Sequence, residues 1–256
     1  MNTGKISLII AAALVILLGV FLFMHANPKS AYAPVTKTAN VTVVTKTIKD
    51  ENTQNRYTID VQYPFVNGLD AQKQNDVNGK IQMMVTKLVN DFKSSATASA
   101  QAPFVKQYNL KSGLTVRFET GQVSSKIISL QLNVSDYQAG AAHPNNYNLT
   151  FNYDVAEGKQ LKISDLFKSG DYVNTLSKLA TDDLLAQYKK MNLDYASFVK
   201  DGASAKAENF QEFLLKQNNL VLVFNPYQVG PGAAGTRTVT TPLSQLSTIL
   251  KPQYAQ

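Results

Sequence analysis

The sequence predicts an α+β fold, mainly antiparallel sheet with packed helices, preceded by one N-terminal transmembrane helix. Three observations carry this. Segments with strict two-residue alternation are interspersed with helix-period apolar stripes, without the regular strand–helix–strand rhythm of a parallel sheet. An uncharged run from Ile6 to Met24 opens the chain. The remaining residues, in a chain of 256 that is 44% hydrophobic and 17% charged, suffice for a sizeable core.

In the first run the only polar side chain is Ser7. At about 1.5 Å per helical residue it reaches roughly 28 Å, the thickness of a bilayer's hydrocarbon. Ala31-Tyr32-Ala33 has the small-x-small form of a signal peptidase site, but Pro34 follows directly and disfavours cleavage, so a retained anchor is expected. Lysines on both sides of the span leave the charge count neutral on orientation. A five-residue head before such a segment normally stays cytoplasmic, so the bulk of the chain is expected to be extracytoplasmic.

Residues beyond the span, rich in Thr, Ala, Lys and Pro, read as a stalk, and Val41 to Val44 have strand character by their β-branched content. Tyr57, Ile59, Val61 and Tyr63 alternate on one strand face, and Pro64 is expected to end the pairing. From Asp70 to Phe92 the stripe Val77, Ile81, Met84, Val85, Leu88, Val89, Phe92 predicts a helix packed on a sheet. The small residues of 94–103 read as a linker or loop tip. Strands are predicted over 113–120, 126–137 and 146–155. The last turns at Gly158 into a partner at 160–163. Ser164-Asp165 is an expected N-cap for a helix beginning near Leu166 and continuing through Leu176, Ala180, Leu184 and Tyr188 to about Met191. A short helix over 207–216, a buried strand over 220–224, a short strand over 237–241 and a terminal helix over 243–250 complete the reading.

Composition narrows the chemistry. Without cysteine there is no thiolate nucleophile, disulfide framework or Cys-ligated metal, and two histidines leave no multi-His metal site. No cofactor or metal is expected. A net charge of +7 is spread singly, with Lys189-Lys190 the only basic doublet, so no nucleic-acid stripe is present. Gly230-Pro231-Gly232 to Gly235 lacks the lysine of a phosphate loop and reads as a tight strand connection or a binding loop. His143 lies in a Gly/Pro-bounded loop between strands, where it caps the loop or contacts a ligand. Tyr137, Tyr147 and Tyr227 flank these two loops, as core residues or as contacts for sugars and proteins. No catalytic residue is assigned: no Gly-x-Ser-x-Gly elbow occurs, and neither Asp154 with Glu157 nor Asp182 with Asp183 has the placement of a glycosidase pair.

Two segments carry a resemblance. Gly140-Ala141-Ala142-His143-Pro144-Asn145 leads through Phe151-Asn152-Tyr153-Asp154 to Ser164-Asp165-Leu166-Phe167, and Phe224-Asn225-Pro226-Tyr227-Gln228-Val229-Gly230-Pro231 runs to Gly235. Both are similar to the extracytoplasmic domain of the anti-sigma-V factor family. Tyr57 to Phe92 resembles the companion domain shared with certain peptidoglycan deacetylases. The apolar run and the composition after it set a cytoplasmic head (1–5), a signal-anchor (6–26) and a stalk (27–44), and the resemblance implies a companion subdomain (45–105) and a C-terminal α+β subdomain (106–256). It implies a module at the cell membrane that binds an envelope glycan or a wall-active protein such as lysozyme, since the family includes a lysozyme receptor. Tyr137, His143, Pro144, Asn145, Tyr147, Tyr227, Gly230, Pro231 and Gly235 are the expected ligand-binding residues. The short head departs from the sigma-binding region of that family, and no deacetylase catalytic domain follows. Two alternatives stay open: an envelope hydrolase in which folding brings an acidic residue to His143, and a scaffold or accessory subunit of an envelope complex.

Overall fold

The computed structural model describes residues 40–255. The apolar run at 6–24 and most of the stalk lie outside them. Among the described residues, no helix is long and apolar enough to cross a membrane.

Two sheets form the α+β fold. The larger has six strands in chain order: β1 (Thr42–Asn52), β2 (Tyr57–Asn67), β3 (Ser112–Val123), β4 (Ile127–Tyr137), β5 (Asn145–Asp154) and β6 (Lys159–Gln160). All neighbours are antiparallel except β2 and β3, which run parallel from Tyr57↔Ser112 to Val61↔Val116. The parallel pair needs a crossover, supplied by α1 (Ala71–Ser99) and the short α2 (Pro103–Gln107). The smaller sheet is β7 (Phe213–Lys216), β8 (Asn219–Phe224) and β9 (Arg237–Pro242), antiparallel throughout. Helices α3 (Tyr172–Lys190) and α4 (Ala196–Gly202) precede it.

Helix α1 begins where Asp70 accepts the Lys73 N–H at 3.0 Å. Its stripe Val77, Ile81, Val85, Leu88, Val89 and Phe92 is buried against the large sheet. The helix does not stop at 93. The 94–103 segment continues it to Ser99, with Ala96 and Ala100 buried, because alanine favours helix and its small side chain extends the same packed face.

Pro64 also behaves differently from expectation, pairing with Thr45 inside β2. The reason lies two residues on, where the Val66 N–H and carbonyl bond the Asn78 side chain of α1 rather than β1. Pro64 faces that same side, which β3 has left after Val61, so its missing N–H orphans no ladder partner.

Three helices of the sequence reading are shorter or absent. Residues 163–166 form a 3₁₀ turn in which Asp165 accepts the Lys162 N–H, and α3 starts only at Tyr172. Residues 213–216 are strand, not helix: Phe213 and Leu215 pair with β8, and the link Gln217-Asn218 has both φ angles positive (50° and 61°), as a type I′ hairpin requires. After Pro242 only a single 3₁₀ turn, Leu243–Leu246, forms before the chain lies against Phe167.

Candidate functional site

The geometry of the candidate region begins with strand β5. Its Tyr147, Leu149, Phe151 and Tyr153 face α1, while Asn148, Thr150, Asn152 and Asp154 face away, toward the small sheet. Asn148, Asn152 and Ser129 of β4 are buried polar residues, and each is bonded. Ser129 donates to Asn152 Oδ1 (2.6 Å) and accepts the Leu215 N–H (2.9 Å). Asn152 Nδ2 donates to the Phe213 carbonyl (2.7 Å), and Thr150 Oγ1 accepts the Phe213 N–H (3.1 Å). Strand β7 thus crosses β5, β4 and β3 on a polar ladder. Gly121 of β3 completes the crossing, since a Cβ there would lie 2.6 Å from the Leu215 carbonyl oxygen.

The two predicted loops attach at one end of this ladder. The first, residues 138–144, joins β4 to β5. The Ala139 N–H is held by Ser112 Oγ (2.9 Å), and Gly140 (φ 93°) lies against the Phe104 ring, leaving no room for a side chain. His143, Pro144 and Asn145 are exposed. The His143 Nδ1 sits 2.9 Å from the Pro144 carbonyl oxygen, and among the described residues no carboxylate pairs with this ring. No acid–base dyad forms there. Tyr137 and Tyr147 are half-buried. Burial, then the charges of Asp136 and Asp91, push the Tyr147 phenol above its ordinary value. Burial likewise raises Asp136.

The second loop, 225–236, joins β8 to β9. Asn225 Oδ1 accepts both the backbone N–H (2.7 Å) and the Nδ2 (2.9 Å) of Asn148, and Asn225 Nδ2 returns a bond to the Asn148 carbonyl (3.1 Å). Asn148 Nδ2 also reaches Thr236 Oγ1 (2.7 Å), so one side chain clamps both ends of the loop. Gln228 secures the middle by donating to the carbonyls of Gly202 and Asn209. Tyr227 is 60% exposed, with φ 71°, and its ring covers Gly232. Gly230 is buried against the Tyr188 hydroxyl, Pro231 is half-buried, and Gly235 turns the chain at φ 67°.

The loops therefore meet the same end of β5 from opposite supports. The first is braced by α2 and Ser112 and the second by Asn148, so His143 and Tyr227 share no bond among the described residues. Of the two asparagines that fix the second loop, Asn225 stands in a segment that carries the resemblance, and Asn148 has as its only sequence signal the polar half of the β5 alternation; neither is among the expected ligand-binding residues. Nothing in the described residues groups three metal-ligating side chains.

Residues 50–146 match the family described as Deacetylase PdaC, and residues 164–244 match that described as Protein of unknown function (DUF3298). Anti-sigma-V factor RsiV of Bacillus subtilis is 25% identical over 239 residues, covering 89% of this chain and 78% of that protein. The chain is thus similar to RsiV along most of its length, with a stretch that matches the PdaC family model followed by one that matches the DUF3298 model. The Bacillus subtilis peptidoglycan-N-acetylmuramic acid deacetylase PdaC is 34% identical over 145 residues, which is 55% of this chain and 30% of the deacetylase. Among solved structures, DUF3298 family proteins of Bacteroides fragilis and Pseudomonas aeruginosa share the fold. Both superpose with a TM-score of 0.59, at 16% and 12% identity, covering 84% of this RsiV-like chain and 95% and 96% of theirs.

Proposed function

We propose that this RsiV-like chain is a non-catalytic sensing module, anchored by its N-terminal apolar run and displayed outside the membrane. It recognises a wall-active protein such as lysozyme, or an envelope glycan, through the loops around His143 and Tyr227. The observation that supports this reading is the Asn148 clamp, which ties both ends of the loop carrying the exposed Tyr227 to the strand that the exposed His143–Asn145 segment enters. Rigid, exposed tyrosine is a low-entropy contact group for proteins and sugars. Similarity to an anti-sigma factor across most of both chains favours recognition over catalysis.

The test is a binding titration of the full chain in detergent against lysozyme and against purified peptidoglycan fragments. Saturable binding to one of them is expected. His143→Ala with Tyr227→Ala should weaken it at least tenfold without lowering the melting temperature. Unchanged affinity in that double variant would remove the loops from the site.

A further inference from the structure

We propose that a second, separate site, the cleft between β5 and the 207–213 connection, binds a neutral saccharide. The cleft holds about 560 Å³, within the roughly 300–1,000 Å³ of small-molecule sites.

Its floor is Glu212. One carboxylate oxygen, Oε2, accepts the Thr150 N–H at 2.5 Å, which anchors the side chain to β5. The other oxygen has no hydrogen-bond partner among the described residues, and no lysine or arginine there pairs with this carboxylate. Burial accordingly pushes the Glu212 carboxyl above its ordinary value, even though the Thr150 bonds act in the opposite sense. With one oxygen held by backbone and the other open to the cleft, the carboxylate can accept a hydrogen bond from a donor that enters it.

The rim defines which donor fits. Gln160, Ser164 and Gln211 supply groups that both give and accept hydrogen bonds, the behaviour of a sugar hydroxyl in mirror image. Fixed charge matches poorly: an anion would meet Glu212 and Glu208, whereas a cation would meet Lys162. A neutral polyhydroxyl ligand avoids both conflicts. The apolar end is rigid. Tyr172, 5% exposed and stacked on Phe167 with centroids 4.6 Å apart and planes within 3°, closes that end of the cleft as a fixed wall.

The test titrates the full chain in detergent with an N-acetylglucosamine trimer and with maltotriose by calorimetry. At least one should bind saturably. Glu212→Gln keeps an acceptor for the Thr150 N–H while changing the free group, and should weaken binding at least tenfold. Gln160→Ala, at an exposed position, should weaken it several-fold and serves if the first variant is poorly folded. Absence of binding to both sugars at millimolar concentration, or wild-type affinity in the variants, overturns the proposal. The His143→Ala, Tyr227→Ala double variant should bind the sugar as the wild type does. Loss of sugar binding there would move the saccharide to the loops and also overturn the cleft. Sugar binding that persists in a chain with no affinity for lysozyme would refute only the loop-based reading.

Discussion

On the helix side of the large sheet, β5 presents Tyr147, Leu149, Phe151 and Tyr153; toward the small sheet, the same strand presents Asn148, Thr150, Asn152 and Asp154. The first face is held by apolar area removed from water, which is non-directional and tolerant of small shifts. The second is held by individually aimed hydrogen bonds to Phe213 and Asn225, with Ser129 of β4 adding one from Leu215, and a displacement of one residue would break all of them at once. Packing supplies the bulk of the stability, while the polar ladder fixes where the small sheet and its loop sit. The site inherits its geometry from the second face.

The largest test of this contrast is Phe151→Ala. Phe151 is buried in the cluster with Val77, Ile81 and Leu130, and its truncation should cost roughly 3–5 kcal/mol in urea unfolding. Asn152→Ala comes next. It removes the partner of the Ser129 hydroxyl and of the Phe213 carbonyl, for about 1–3 kcal/mol. It should also broaden the amide signals of the 225–236 loop, which Phe151→Ala should leave in place once corrected for stability. Equal losses with no selective effect on that loop would erase the distinction between the faces.

The smallest expected effects are in pH dependence, where the faces have opposite signs. On the helix side, the Asp76 carboxylate accepts bonds from Lys80 and from the buried Tyr153 hydroxyl, which lower its pKa beneath the ordinary 3.8. Its contribution is present above that value and is lost as pH falls through the depressed folded pKa. On the other side, burial raises Glu212 above its ordinary 4.5. That contribution is full below the ordinary value and is lost as pH rises through the folded pKa. Melting curves between about pH 3 and pH 7 should show Asp76→Asn reducing the loss of stability on acidification. Glu212→Gln should reduce the loss on the way up from acid. A shared sign for the two variants would contradict this assignment of environments.

The helix-side face was largely legible in the sequence, because apolar periodicity reports burial directly. The α1 stripe and the alternations of β2 and β4 follow from it. The errors fell where periodicity is mute. Small residues at 94–99 carry helix as readily as loop. The short run Phe213–Lys216 fits either state, and pairing with β8 and the β5 ladder decides it. Residues 243–250 have a helical pattern, yet Leu250 is drawn into a bridge with Phe167. The candidate loops could be placed between strands from their Gly and Pro content alone. Their supports could not, because nothing local connects Asn148 with Asn225 across 77 positions, and Glu212 stands in an otherwise unremarkable polar stretch.

The ladder has a consequence for how the chain reaches this state. Strands β1 to β6 end by residue 160, whereas β7, which caps their polar face, begins at Phe213. A chain emerging from its N-terminus can assemble the large sheet and α1 while Ser129, Asn148 and Asn152 are still hydrated. Arrival of β7 must then strip water from Ser129 and Asn152, and arrival of the 225–236 loop from Asn148, in late closures spanning 61 to 88 residues. The small sheet, and the Tyr227 loop with it, is thus expected to acquire its shape last, and native-state hydrogen exchange should find its amides released first.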